Sequence, residues 1–177
     1  MMKKNMIAMA LSAAAILSIS HAIAYDGTVK FVGQVLDTAC TVDIGANNTM
    51  TVDMGSVYKT AFTTAGDEAS TTKFTLRLIN CPSSVTSARV KFDGVNHSGN
   101  TDLLALSADP GSASGVAIRL MTADRAPLGL NQINGYSYSL LDMVDNQLDF
   151  YAAYVATSVP VVPGVVNAVA NFTVNYN

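Results

Sequence analysis

The chain has 177 residues; 50% are apolar, 13% are charged, and the formal net charge is −3. A disordered chain would be poor in apolar residues and rich in charge, so that class is excluded, and the length suits one domain better than two. No run of Lys or Arg occurs, which removes the electrostatic footprint of a nucleic-acid binder.

Residues 1–24 read as a secretory signal peptide. Lys3 and Lys4 form a basic start, Ile7 to Ile19 carries no charge, and Ala22-Ile23-Ala24 is a small-x-small cleavage site. Cleavage is expected after Ala24, with Ala22 as the alternative. The apolar run is too short to span a bilayer as a helix. Export places Cys40 and Cys81, the two cysteines of the chain, in an oxidising compartment, where one disulfide is the default expectation. Closing a loop of that size stabilises the fold by about 4 kcal/mol on a chain-entropy argument.

From there the sequence reads as strands. Period-two alternation, with one buried and one wetter face, appears in Val29-x-Phe31-x-Gly33-x-Val35 and in Met50-x-Val52-x-Met54. It continues in Phe74-x-Leu76-x-Leu78, Ala88-x-Val90-x-Phe92, Val116-x-Ile118-x-Leu120 and Leu148-x-Phe150-x-Ala152-x-Tyr154. A last run, Ala168-x-Ala170-x-Phe172-x-Val174-x-Tyr176, reaches the penultimate residue. Turn formers separate the runs: Gly45 to Asn48, Asp93-Gly94, Asn96 to Asn100, Asp109-Pro110-Gly111 and Asn134-Gly135. Short strands at this spacing predict an all-β antiparallel sandwich. Short helical turns are compatible with residues 56–62 and 101–107. The apolar strands at both extremes either pair within one molecule or are exchanged between molecules by strand addition.

Patterns that carry chemistry are weak. His97 lies in Asn96-His-Ser-Gly-Asn100, a turn-rich setting that favours a solvated loop over a catalytic triad. Ser70-Thr-Thr-Lys73 matches S-x-x-K without the companion motifs of that enzyme class. Asp142, Asp145 and Asp149 lack the spacing of a calcium loop. Three sequons match the N-glycosylation pattern, at Asn47, Asn96 and Asn171. No catalytic residue, metal, cofactor, nucleic-acid or small-molecule partner is expected.

Taken together, these residues resemble the pilin subunits of bacterial chaperone–usher fimbriae, closest to the major subunits of type 1-like fimbriae. The resemblance covers nearly the whole precursor. It rests on Gly27-Thr-Val-Lys-Phe-Val-Gly-Gln-Val-Leu-Asp-Thr-Ala-Cys40, the spacing to Cys81, Leu103 to Leu106, Gly115 to Ile118, and Tyr154-Val-Ala-Thr157. It rests also on Gly164 and the final Ala168 to Asn177, a Gly and penultimate Tyr pair that is the family's C-terminal motif. The resemblance implies an incomplete immunoglobulin-like β-sandwich, residues 38–177, preceded by a donor-strand extension, residues 25–37. It implies that Val29, Phe31, Gly33 and Val35 enter a neighbour's groove. Ala168, Ala170, Phe172, Val174 and Tyr176 would then wall the chain's own groove, which a periplasmic chaperone covers first and a neighbour's strand later. The implied partners are other copies of the chain or related pilins, the chaperone and an outer-membrane usher, and the implied location is a cell-surface fimbrium. A minor or adaptor pilin fits nearly the same pattern. A terminator is disfavoured by Thr28 to Leu36, a two-domain tip adhesin by the short stretch before Cys40, and a secreted monomeric binding protein by the lack of a concentrated polar site.

Overall fold

The computed structural model describes residues 26–33, 35 and 39–177. The signal peptide, its cleavage positions Ala22 and Ala24, and residues Tyr25, Gln34 and Leu36 to Thr38 lie outside the described residues. The chain divides into two units, Met1–Val35 and Leu36–Asn177. In the first, Val29, Phe31, Val32 and Val35 belong to no strand and their side chains are exposed.

The second unit is a two-sheet sandwich, with ten strands among the described residues: β1 Thr41–Val42, β2 Glu68–Ile79, β3 Ser87–Gly94, β4 Asn96–His97, β5 Asn100–Leu104, β6 Val116–Met121, β7 Pro127–Leu128, β8 Tyr138–Ser139, β9 Asn146–Ala156 and β10 Ala170–Tyr176. The larger sheet has the order β1-β2-β9-β6-β5-β4, with β7 also paired to β6; the smaller has the order β10-β3-β8. All strand pairings are antiparallel. The core fills the space between the sheets. Leu76 and Leu78 of β2, Leu148 and Phe150 of β9, and Ala88, Val90 and Phe92 of β3 are buried there. Aromatic rings knit the layers together: Phe92 meets Phe150 edge-on at 5.2 Å, and Phe74 stacks on Phe150 at 5.5 Å. The Tyr138 hydroxyl donates to the Asp149 carbonyl at 2.6 Å, so β8 is tied to β9 across the core.

The expected alternating runs at 74–78, 88–92, 116–120, 148–154 and 168–176 fall in strands, with β10 starting at Ala170. The run Met50 to Met54 is paired to no strand among the described residues. A 3-10 turn, Lys59–Ala61, occupies the stretch expected to turn near 56–62. Around 101–107 the chain instead forms β5, because Leu103 and Leu104 pair with Arg119 and Ile118 of β6. Asp93-Gly94 is not a turn: both residues continue β3 opposite Asn171 and Ala170.

Cys40 and Cys81 are bonded to each other, and both are buried. The bridge ties the chain just before β1 to the end of β2. Asn146 closes the site, donating from Nδ2 to Cys81 Sγ at 3.4 Å and to the carbonyls of Leu141 and Val144.

Candidate functional site: an open slot beside the last strand

Among the described residues, β10 pairs with β3 on one edge only. The register places Phe172 against Phe92, Val174 against Val90 and Tyr176 against Ala88. The three β3 residues are 4%, 0% and 0% exposed, whereas Ala168, Ala170, Phe172, Val174 and Tyr176 are all only partly buried. The sequence-expected groove residues thus lie on one face. That face packs on the core and stops short of being covered.

Residues 50–57 form the opposite wall. Met50, Met54 and Val57 are partly buried against the core. At one end, Val57 shares a cavity of about 100 Å³ with Phe62, Tyr154, Gly164 and Val166. At the other end, the Tyr176 hydroxyl reaches the Cys40 carbonyl at 3.4 Å. The stretches 40–57 and 164–176 therefore run in opposite directions along a slot. Among the described residues, no main-chain hydrogen bond joins residues 50–57 to β10. Half-buried Phe74 of β2 packs behind Phe92, at 6.1 Å, and contributes to the floor. Burial pushes the Tyr176 hydroxyl above its ordinary pKa, so it remains a donor.

Gly164 has a physical reason to be glycine. A Cβ there would fall on Ala113 N, Gly111 O and Ser112 C, all backbone atoms. The segment lies against residues 111–115 through hydrogen bonds from Ala113 N to Val165 O, at 2.9 Å, and from Val165 N to Gly111 O, at 2.9 Å. This close crossing fixes the direction in which the chain enters β10. Gly33 differs: a Cβ added there would meet nothing within 4 Å.

The weak chemical patterns disperse. Ser70 Oγ donates to the Met54 carbonyl, at 2.8 Å, while Lys73 pairs with Asp149 at 2.8 Å. Asp145 pairs with Arg77, which also binds Asp43. Two of the three acidic residues, Asp145 and Asp149, are therefore drawn to separate cations. His97 accepts from the Gly99 amide within the β4–β5 hairpin.

Sequence reasoning did not find the far wall as a partner of β10. Its signal was present in Met50-x-Val52-x-Met54 followed by Gly55, but alternation does not say which strand a segment faces. It also missed Asp67. That carboxylate accepts from the amides and hydroxyls of Thr63 and Thr64, at 2.7–2.8 Å, where the wall turns into β2. These bonds, those from the Thr64 and Thr63 amides foremost, hold its pKa well below the usual carboxylate range.

Comparison with known proteins agrees with this geometry. The family model described as fimbrial protein matches residues 24–177. Long polar fimbria protein A of Salmonella typhimurium is 34% identical over 179 residues, covering 99% of this chain and 98% of that protein. The crystal structure of a Burkholderia pseudomallei antigen and type I fimbria protein is 33% identical, with a TM-score of 0.60 over 80% of this chain and 91% of that one. A subunit in the structure of a chaperone–usher pilus is 25% identical, with a TM-score of 0.63, covering 85% of this chain and 95% of that one. An incomplete immunoglobulin-like sandwich, an open slot beside its last strand and a family match over nearly the whole sequence agree: the chain belongs to the fimbrial protein family and is a structural subunit of the chaperone–usher type.

Proposed function

We propose that the protein polymerises by inserting residues 25–36 into the slot of a neighbouring copy or related pilin. The observation that carries this reading is the half-buried inner face of β10 beside an unpaired far wall. The chain also offers a matching guest. Val29, Phe31 and Val35 fall at alternate positions of the sequence and are 76%, 93% and 98% exposed. An inserted strand hydrogen-bonds through its main chain and gains specificity from alternate side chains. Each large apolar side chain it buries contributes about 1.5–3 kcal/mol. Within its own chain Gly33 meets no neighbour that would exclude a side chain, so a shallow point in the host slot, rather than local crowding, is the reason proposed for glycine there.

An unpaired edge beside an apolar slot invites aggregation. A periplasmic chaperone therefore covers the slot before assembly, and an outer-membrane usher exchanges that cover for the next subunit. The subunit's work is fold completion rather than catalysis, with no cofactor or small substrate. Its destination, after cleavage behind Ala24 and passage through the periplasm, is an adhesive fimbrium on the cell surface.

Deletion of Tyr25 to Leu36 tests the reading. The truncated subunit is expected to remain folded with its chaperone and to give no filaments by electron microscopy and no ladder on unheated denaturing gels. Filaments from that variant would overturn the assignment.

A further inference from the structure

The far wall carries a local device that the sheet alone does not require. Gly55 has φ +65, a kink directly after the Met50 to Met54 run. The main-chain groups at this kink are already taken by side chains. The Gly55 amide donates to Asp53 Oδ1 at 2.9 Å, the Gly55 carbonyl accepts from the Tyr154 hydroxyl at 2.9 Å, and the Met54 carbonyl accepts from Ser70 Oγ at 2.8 Å. Among the described residues, 50–57 make no main-chain to main-chain hydrogen bonds. The run Met50 to Asp53 thus keeps main-chain groups for an incoming strand, while the Met54 carbonyl and both main-chain groups of Gly55 are already bonded.

Both hydroxyl donors are aimed by β-structure. Ser70 sits in a bulge between Ala69 and Thr72, where the β2–β9 register shifts, and it has φ +52. A bulge of this kind re-aims a side chain, here toward the wall. Tyr154 is 5% exposed and sends its hydroxyl from the core to the kink. Burial, and then the charge of Asp53, pushes that hydroxyl above its ordinary pKa, so it stays a donor. Tyr154 also lines the cavity that ends the slot beside Val57 and Gly164.

We infer that Tyr154, Ser70 and Asp53 lock the Met54–Gly55 kink as a stop for the hydrogen-bond ladder on the far wall, and that this stop sets the register of an inserted strand. The inference rests on the strand-exchange reading above. A guest strand pairs along β10 but finds partners on the far wall only as far as Asp53. Sliding it further sets its amides and carbonyls against groups already bonded, and an unpaired buried main-chain group costs about as much as a lost hydrogen bond. The alternation of side chains permits slips of two residues, which keep the same face inward, and a stop of this kind acts beside the fit of Gly33 to choose among them. The three residues are positioning residues.

The test uses full-length subunits assembled in the periplasm, with a photo-crosslinking amino acid replacing Phe31 and the crosslinked peptides mapped by mass spectrometry. In the otherwise unaltered chain, the crosslink should fall at one site in a neighbour's slot. In the Tyr154→Phe/Ser70→Ala double variant, which keeps the ring and removes both hydroxyls, that single site should divide into sites two residues apart. A crosslink that stays single in the variant, even with a lowered melting temperature, overturns the lock. A crosslink outside any neighbour's slot in the unaltered chain overturns strand exchange itself. If the double variant does not accumulate, Ser70→Ala alone decides on the same criterion, because Ser70 is exposed and its loss leaves the core intact.

Discussion

β3 and β10 are neighbours, in register over seven residue pairs, yet they live in different solvents. The inward row of β3 is sealed between β10, β8 and the larger sheet. The inward row of β10 is flanked by β3 on one side and by the slot on the other, and none of it is fully buried. The sequences of the two rows do not explain the contrast, since Phe92 and Phe172 are the same residue at paired positions. What differs is whether a further strand lies alongside. In a chain of this size the hydrophobic face of a terminal strand can thus be partly left for another molecule to bury.

The strongest way to break the contrast is at Gly164, which aims the chain into β10. Gly164→Leu is expected to cost about 4 kcal/mol or more, because the clash is with backbone that cannot turn aside. Urea denaturation of the purified subunit checks this; a midpoint like that of the unaltered protein would mean that the crossing at 111–115 is soft. Next in size is the disulfide. Cys40→Ser/Cys81→Ser should lose about 4 kcal/mol on the loop-entropy estimate. The loss should register as lower periplasmic yield and as faster amide exchange on the far wall than in β3, because Cys40 leads into that wall.

A sharper comparison sets Phe92→Ala against Phe172→Ala. Truncating a buried Phe costs about 3–5 kcal/mol. Half-buried Phe172 should cost about half as much in the isolated subunit. In assembled filaments the two costs should converge, as the guest strand covers Phe172. Thermal dissociation of filaments formed by each variant reads this directly, and a persistent gap would mean that the slot stays open after assembly.

Much of the fold was legible in the sequence because each core strand shows its buried face in its own residues. Leu148 to Tyr154 alternates and is β9; Ala88 to Phe92 alternates and is β3. The alternating face from Ala168 to Tyr176 was readable on the same ground. Pairing was less readable. Leu103 and Leu104 show no alternation, and only their contact with β6 makes them a strand. The reason for Gly164 was also hidden, because the backbone it crosses lies about fifty residues earlier in the chain. The far wall escaped for a related reason. Its partners are single hydroxyls, Tyr154 and Ser70, that reach it from distant parts of the chain.

The smallest expected effect separates the two regions by pH. Asp67 anchors the exit of the far wall through four hydrogen bonds and has no contact of that kind with β3. Its folded pKa lies below the unfolded value of about 3.9, so the folded state binds the proton less readily. The stability it contributes is therefore fully present above that unfolded value and is lost as pH falls through the folded pKa. Asp67→Asn should lower the denaturation midpoint slightly at pH 7, and the difference from the unaltered protein should shrink as pH drops below about 4. Because Asp67 is only partly buried, solvent screens its bonds and keeps the change in midpoint small. Amide exchange should quicken at residues 59–67 and leave β3 unchanged. Equal quickening in both regions would mean that the wall and the sealed sheet unfold as one unit, and that the contrast between them is one of burial alone.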